Sequence, residues 1–169
     1  MSVYFDSAVF LAVLNGEPTS QDIRELLRQL QKRKTRIVTS IVTVQEVSVA
    51  SYKKGQIATD NHVKVNKLAR IEGVTRDIAL TSAKLEAQIL DKMAGADKFE
   101  RQKDNKRRKW DCFHIATAMC LKCETLYTVD DEMLRRKNLL GITGIDFCLP
   151  KPDQLLLLSV SEESNARSQ

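Results

Sequence analysis

Four carboxylates in this chain sit where a charge is costly or conspicuous: Asp6, Glu46, Asp111 and Asp130. Asp6 interrupts MSVYFDSAVFLAVL between two apolar runs, and Asp130 ends the run TLYTVD in the same manner. On a helix, Glu46 has Val42, Val49 and Ala50 one turn away, with no Lys or Arg at that distance on either side. A carboxylate in such surroundings is costly unless something pairs with it. Its partner must come from elsewhere in the fold, or be a cation. If the four acids converge they repel one another, a pair about 5 Å apart costing on the order of 3 kcal/mol at an effective dielectric near 20. Some would then keep protons unless a divalent ion were bound, and carboxylate oxygens are the donors that Mg²⁺ and Mn²⁺ prefer. Each aspartate also has a plainer reading. Asp6 can cap the helix that follows it, and Asp111, in the first turn of a helix opening at Trp110, can answer the helix dipole.

The distribution of positive charge adds a second element. The chain has 27 Lys and Arg against 22 Asp and Glu, and the segment Lys98 to Lys109, KFERQKDNKRRK, holds seven of the former and two of the latter, so the rest balances at 20 against 20. The whole net charge of +5 therefore resides in one short stretch. Such a run is either a solvated loop or a polyanion-binding surface. An all-acid, histidine-poor cluster beside a basic strip points to metal-assisted cleavage of a phosphodiester.

At 169 residues and 43% apolar content the chain suits one domain with a well-buried core. It has no apolar run long enough to span a bilayer, and MSVYFD lacks the features of a signal peptide, so a cytoplasmic protein is expected. The four cysteines then read as reduced side chains. Cys120 and Cys123 form a C-x-x-C, but no second pair stands at zinc-site spacing.

To bring the acids together the chain needs strands that end at a common edge. Short strands are expected at Val3 to Phe5, Arg36 to Thr39, Val74 to Thr75, Thr125 to Val129 and Gly144 to Phe147. Helices are expected at Ser7 to Leu14, from Ser20 or Gln21 to Lys32, at Ile41 to Lys54, Asp60 to Ile71, Asp77 to Ala94 and Glu132 to Lys137. Another covers WDCFHIATAMCLKC, with Cys112, Ile115, Ala116, Met119 and Cys123 inward; Ile78, Ala79, Ala83, Leu85 and Ile89 are candidate core of the helix before it. This alternation predicts a three-layer α/β/α sandwich around a mostly parallel central sheet. Asp6 and Asp130 would then sit at the C-terminal strand edge, where such sheets bind ligands. Residues 151–169 carry an apolar stretch, Leu155 to Leu158, and the polar ending SVSEESNARSQ, and are expected to be a partly disordered extension.

The order Asp6 after the first strand, Glu46 in IVTVQEV, Asp111 in WDCFHIATA and Asp130 in LYTVDDEML resembles the PIN domain nucleases, which include the ribonuclease toxins of VapC-type toxin-antitoxin pairs. The similarity spans residues 1–150. It implies a PIN-like fold in which Asp6, Glu46, Asp111 and Asp130 are the catalytic, metal-holding acids for Mg²⁺ or Mn²⁺. Ser7 and Thr128 match small hydroxyl positions, Asp131 is an outer acid or a cap, and His114 is a structural residue of its helix. Trp110 either stacks on a base or packs in the core, the latter being favoured. The basic residues Lys98, Arg101, Lys103, Lys106, Arg107, Arg108 and Lys109 would grip the RNA backbone. The resemblance further implies an RNA substrate, a cognate antitoxin and a homodimer. Two features depart from the compact toxins: the longer chain and the expanded basic segment. An inactive PIN fold serving as an RNA-binding or assembly module is the alternative. A haloacid-dehalogenase-like phosphatase needs an Asp at position 8, which is Ala8.

Overall fold

The computed structural model describes residues 1–94 and 98–152, with side chains detailed for all of these except 59 and 98–106. Among the described residues five strands and seven helices follow in the order β1 (Ser2–Phe5), α1 (Ser7–Asn15), α2 (Ser20–Lys32), β2 (Arg36–Ser40), α3 (Ile41–Lys53), α4 (Thr59–Leu68), β3 (Arg70–Glu72), α5 (Arg76–Lys92), α6 (Lys98–Cys120), β4 (Thr125–Tyr127), α7 (Asp131–Leu140) and β5 (Asp146–Cys148). The strands form one all-parallel sheet in the order β3-β2-β1-β4-β5.

Alternation along the central strands divides the core in two. Val3, Phe5 and Ile37 point to one face and pack with Val9 and Phe10 of α1, Ile23, Leu26, Leu27 and Leu30 of α2, Val47 of α3 and Val65 of α4. Tyr4, Val38 and Leu126 point to the other, against Ile78, Leu85 and Ile89 of α5, Cys112, Ile115 and Ala116 of α6, and Met133 of α7. The result is the three-layer sandwich that a sheet buried on both faces requires. The chain builds outward from β1 to β3 with α1–α4 on one face, then returns to β4, beside β1, with α5–α7 on the other. The change of direction falls between β1 and β4. The helices that follow their C-terminal ends leave to opposite faces, which opens a crevice there.

Several expected boundaries move. The chain from Arg70 to Glu72 is an edge strand rather than the end of α4, because Val38, Thr39 and Ser40 of β2 pair with it and Glu72 ties to Arg36 and Arg70. Thr75, expected in a strand, instead caps α5 by accepting from the Ile78 amide. On α5 the inward stripe is Ile78, Ser82, Leu85 and Ile89, leaving Ala79 and Ala83 exposed. α6 begins at Lys98, well before Trp110. The basic segment contains no Gly, Pro or β-branched residue, so nothing stops it from joining the helix. Consequently Asp111 lies mid-helix, beyond the reach of the N-terminal dipole. Met119 is 37% exposed and Ala118 takes the buried position. β4 ends at Tyr127 and β5 starts at Asp146, after Gly144 at φ 80°.

Cys112 and Cys123 are buried thiols and Cys120 is exposed; none of the four cysteines is in a disulfide. Among the described residues no helix is long and apolar enough to cross a membrane. The C-terminal extension from 153 onward, including Leu155 to Leu158, lies outside the described residues.

Leu126 lies on β4, between β1 and β5, and is wholly buried. Leu126→Ala should cost about 2–5 kcal/mol, lowering the urea midpoint with an unchanged slope. A midpoint within error of the wild type would contradict this placement of the core.

Candidate functional site

The end of β1 is tied to the end of β4 by the Asp6 amide, which donates to the Tyr127 carbonyl at 3.2 Å. The Asp6 side chain is the helix cap foreseen for it and also reaches the end of β4. One oxygen caps α1, accepting from the Val9 amide at 3.1 Å, and the other accepts from the Thr128 hydroxyl at 2.5 Å. Thr128 Oγ1 in turn accepts from the Asp130 amide at 2.9 Å, and Asp130 caps α7 through the Glu132 amide. One hydroxyl thus fixes two acids at the edge between β1 and β4. Asp131 opens α7 and is exposed, outside the cavity lining.

The other two acids come from helices on opposite faces of the sheet. Arg107, Asp111 and His114 share one stripe of α6 at helical spacing, and all three line a cavity of about 210 Å³ together with Asp6, Ser7, Glu46 and Asp130. All four predicted acids and Ser7 therefore meet at the β1/β4 switch point. Glu46, from α3, finds the missing partner on α6: its Oε2 lies 2.8 Å from His114 Nε2. The Ser7 hydroxyl also bonds to Glu46. His114 Nδ1 is 2.7 Å from the Tyr4 hydroxyl, which accepts from the Ser40 amide. This buried chain crosses from one layer to the other.

Asp111 is paired with a residue that sequence reasoning missed. Arg136 Nε donates to its Oδ2 at 2.7 Å, with both residues buried. Arg136 follows the buried Met133 by three residues, so it is a charge on the inward face of α7. Met133, Leu139 and Leu140 surround it at one turn as apolar residues surround Glu46, but Glu132 at the same distance offers a local partner, so the signal that marked Glu46 is weaker here. At the rim, Arg107 stands 3.9 Å from Asp130, a largely exposed pair of small energetic weight.

The titrating groups show the cost of this crowding. Burial raises Asp6 to about 6, with Asp130 adding to the rise while His114, Thr128 and the Val9 amide oppose it. Burial likewise raises Asp111, despite Arg136. His114 is held above its ordinary value because Glu46, Asp6 and Asp111 outweigh the burial of its ring, which alone would lower it. Glu46 is lowered: burial pushes it up, but the bonds from His114 and Ser7 and the charge of His114 prevail. The donor set, four carboxylates and a serine hydroxyl, suits a hard divalent cation. Yet among the described residues no three of His, Cys, Asp and Glu are grouped closely enough to hold one.

The basic segment is divided by its helix. Arg107 and Lys109 are exposed, whereas Arg108 is 5% exposed and meets Glu86 of α5 at 3.3 Å. Arg108 is thus part of the α5–α6 packing and not a backbone-gripping residue, since it falls on the stripe of Cys112 and Ile115 that faces the core. The side chains of Lys98, Arg101, Lys103 and Lys106 lie outside the described ones. Trp110 is 36% exposed, with its ring 6.2 Å from that of Phe113, rather than packed in the core.

Residues 3–139 match the sequence profile of the PIN domain. No curated protein matches the chain significantly. Its fold is similar to that of three solved toxin-antitoxin systems. A chain of a toxin-antitoxin complex from Klebsiella pneumoniae is 20% identical, with a TM-score of 0.56, covering 89% of this chain and 99% of its own. One of VapBC-1 from nontypeable Haemophilus influenzae is 15% identical at TM-score 0.59, covering 89% and 98%. One of VapBC2 from Rickettsia felis, bound to a promoter DNA fragment, is 15% identical at TM-score 0.62, covering 88% and 98%.

The raised Asp6 carboxyl gives a pH dependence of known sign. Because the folded chain holds this proton more tightly than the unfolded one, the group lowers stability as pH rises from 3.8 through about 6. Above both values the loss amounts to about 3 kcal/mol. In EDTA, Asp6→Asn should therefore melt higher than the wild type at pH 8 and lose that advantage by pH 4. Thermal unfolding across that range checks it, and a variant less stable at pH 8 would refute it.

Proposed function

This chain belongs to the PIN domain family, and on that premise we propose that it is a divalent-cation-dependent endoribonuclease, hydrolysing RNA phosphodiester bonds as the toxin of a toxin-antitoxin pair in the cytoplasm. The observation that carries the reading is the convergence of Asp6, Glu46, Asp111 and Asp130, from four separate elements, on one cavity at the switch point with Arg107 at its rim. These four acids would hold Mg²⁺ or Mn²⁺. Such an ion supplies a nucleophilic water at neutral pH and offsets charge on the scissile phosphate.

The chain's own groups have separable tasks in this reading. Asp6 and Asp111, where burial disfavours the ionised form, would gain in the cation the counter-charge that favours their carboxylates. His114 keeps Glu46 ionised and oriented. Arg107, on the stripe of α6 that borders the cavity, and Lys109, exposed on another side of the same helix, contact phosphates, which positions the strand without reading its sequence. The three solved toxin-antitoxin chains, matched over nearly their whole length, support a toxin with an antitoxin partner. A second copy of the chain completes the proposed assembly.

One observation favours the second reading, an inactive PIN-fold RNA-binding or assembly module. Glu46 and Asp111 are already paired with His114 and Arg136, and among the described residues no ion-holding group is closed. Cleavage assays separate the two. The wild type should cut single-stranded RNA with Mn²⁺ or Mg²⁺ and not in EDTA, and Asp6→Asn or Asp111→Asn should abolish cutting with the fold intact. Undiminished cleavage in EDTA, or in either variant, would defeat the nuclease mechanism; RNA binding without any cleavage would favour the module.

Neutralising Lys106, Arg107 and Lys109 together tests the grip. Binding measured in Ca²⁺ should weaken, and the slope of log affinity against log salt should flatten by at most about 2. Parallel salt slopes would move the substrate path away from α6. Arg108→Ala, by contrast, should destabilise the protein through the stranded Glu86 while leaving the salt slope unchanged.

A further inference from the structure

Arg136 occupies a place where a charge is hard to justify by packing. It lies one turn beyond Met133 on the inner face of α7, and its side chain and that of Asp111 are only 4% and 11% exposed. Replacing a buried ion pair by apolar residues is often neutral or stabilising, so an apolar side chain would serve the core as well. Met133 and Asp111 line the cavity, but Arg136 is not among the described residues that do. The guanidinium therefore reaches Asp111 Oδ2 from the core side, behind the carboxylate, while the carboxylate itself borders the cavity. His114 differs, for it bonds Glu46 from within the cavity lining.

We propose that Arg136 is a positioning residue, holding Asp111 from behind so that its carboxylate is presented to a divalent cation in the cavity. This rests on the reading of the four acids as a cation site. A rigid, charged donor on one oxygen removes the rotational freedom that a lone aspartate would lose on binding, and it stays in place when the cation enters because it does not occupy the cation's space. Such outer partners of ligating carboxylates commonly account for about 10–100-fold in metal affinity. The opposite arrangement, a guanidinium that competes with the cation for Asp111, predicts the reverse sign.

The test is calorimetric titration of the full chain with Mn²⁺ and no RNA. Arg136→Met should weaken Mn²⁺ binding by about 10–100-fold, and Arg136→Lys, which keeps the charge, should recover part of it. In the Asp111→Asn background Arg136→Met should cause no further loss, because it acts through that carboxylate. If Arg136→Met does not fold, Arg136→Lys must still bind Mn²⁺ more weakly than the wild type. Unchanged or tighter binding in the single variants, or an equal loss in the Asp111→Asn background, would overturn the proposal. A wild type that binds no Mn²⁺ would overturn the cation-site reading and this inference with it. Normal wild-type binding with unaffected variants would overturn this inference alone.

Discussion

The Thr128 hydroxyl, donating to Asp6 and accepting from the Asp130 amide, is the joint on which the site is assembled. It binds the ends of β1 and β4 where the sheet's direction of growth reverses. Two acids are thereby set side by side, and burial, with a smaller addition from Asp130, raises the Asp6 carboxyl. α6 brings a histidine and a further acid from one face, α3 brings Glu46 from the other, and α7 brings an arginine from behind.

The fold makes this possible because its two cores are independent. Val3, Phe5 and Ile37 anchor α1–α4, while Tyr4, Val38 and Leu126 anchor α5–α7. The site belongs to neither core and is reached by both. Tyr4 links it to the interior, its hydroxyl standing between His114 and the Ser40 amide at the start of α3. Burial of that hydroxyl, with Asp6 and Glu46 nearby, holds its proton far above the ordinary tyrosine range. It is a neutral strut that braces the His114 ring on Glu46.

What the sequence made legible was the part governed by local pattern. Apolar runs that stop at Asp6 and Asp130 reveal strand ends, and the apolar neighbours of Glu46 reveal a charge that needs a distant partner. The identity of that partner was not legible, because His114 lies 68 residues away and nothing local distinguishes it from a structural histidine. Arg136 and Arg108 were lost for a related reason. Each stands among other basic residues, DEMLRRK and DNKRRK, and only the phase of its helix separates a buried arginine from an exposed one. The β3 strand was missed because Arg70 to Glu72 is held by its neighbour β2 and by ion pairs, neither of which leaves a mark in the residues themselves. For the extended α6 the signal was present, in the absence of any helix breaker, and the density of charge masked it.

The central claim is that the four converging carboxylates form a divalent-cation site in spite of His114 and Arg136, already paired with two of them. The most direct measurement is an anomalous difference map from crystals soaked in Mn²⁺ without nucleic acid. The account predicts a peak inside the cavity, bounded by Asp6 and Asp111, with Arg136 still bonded to Asp111. An empty cavity at saturating Mn²⁺, with Glu46 still on His114 and Asp111 still on Arg136, would contradict it.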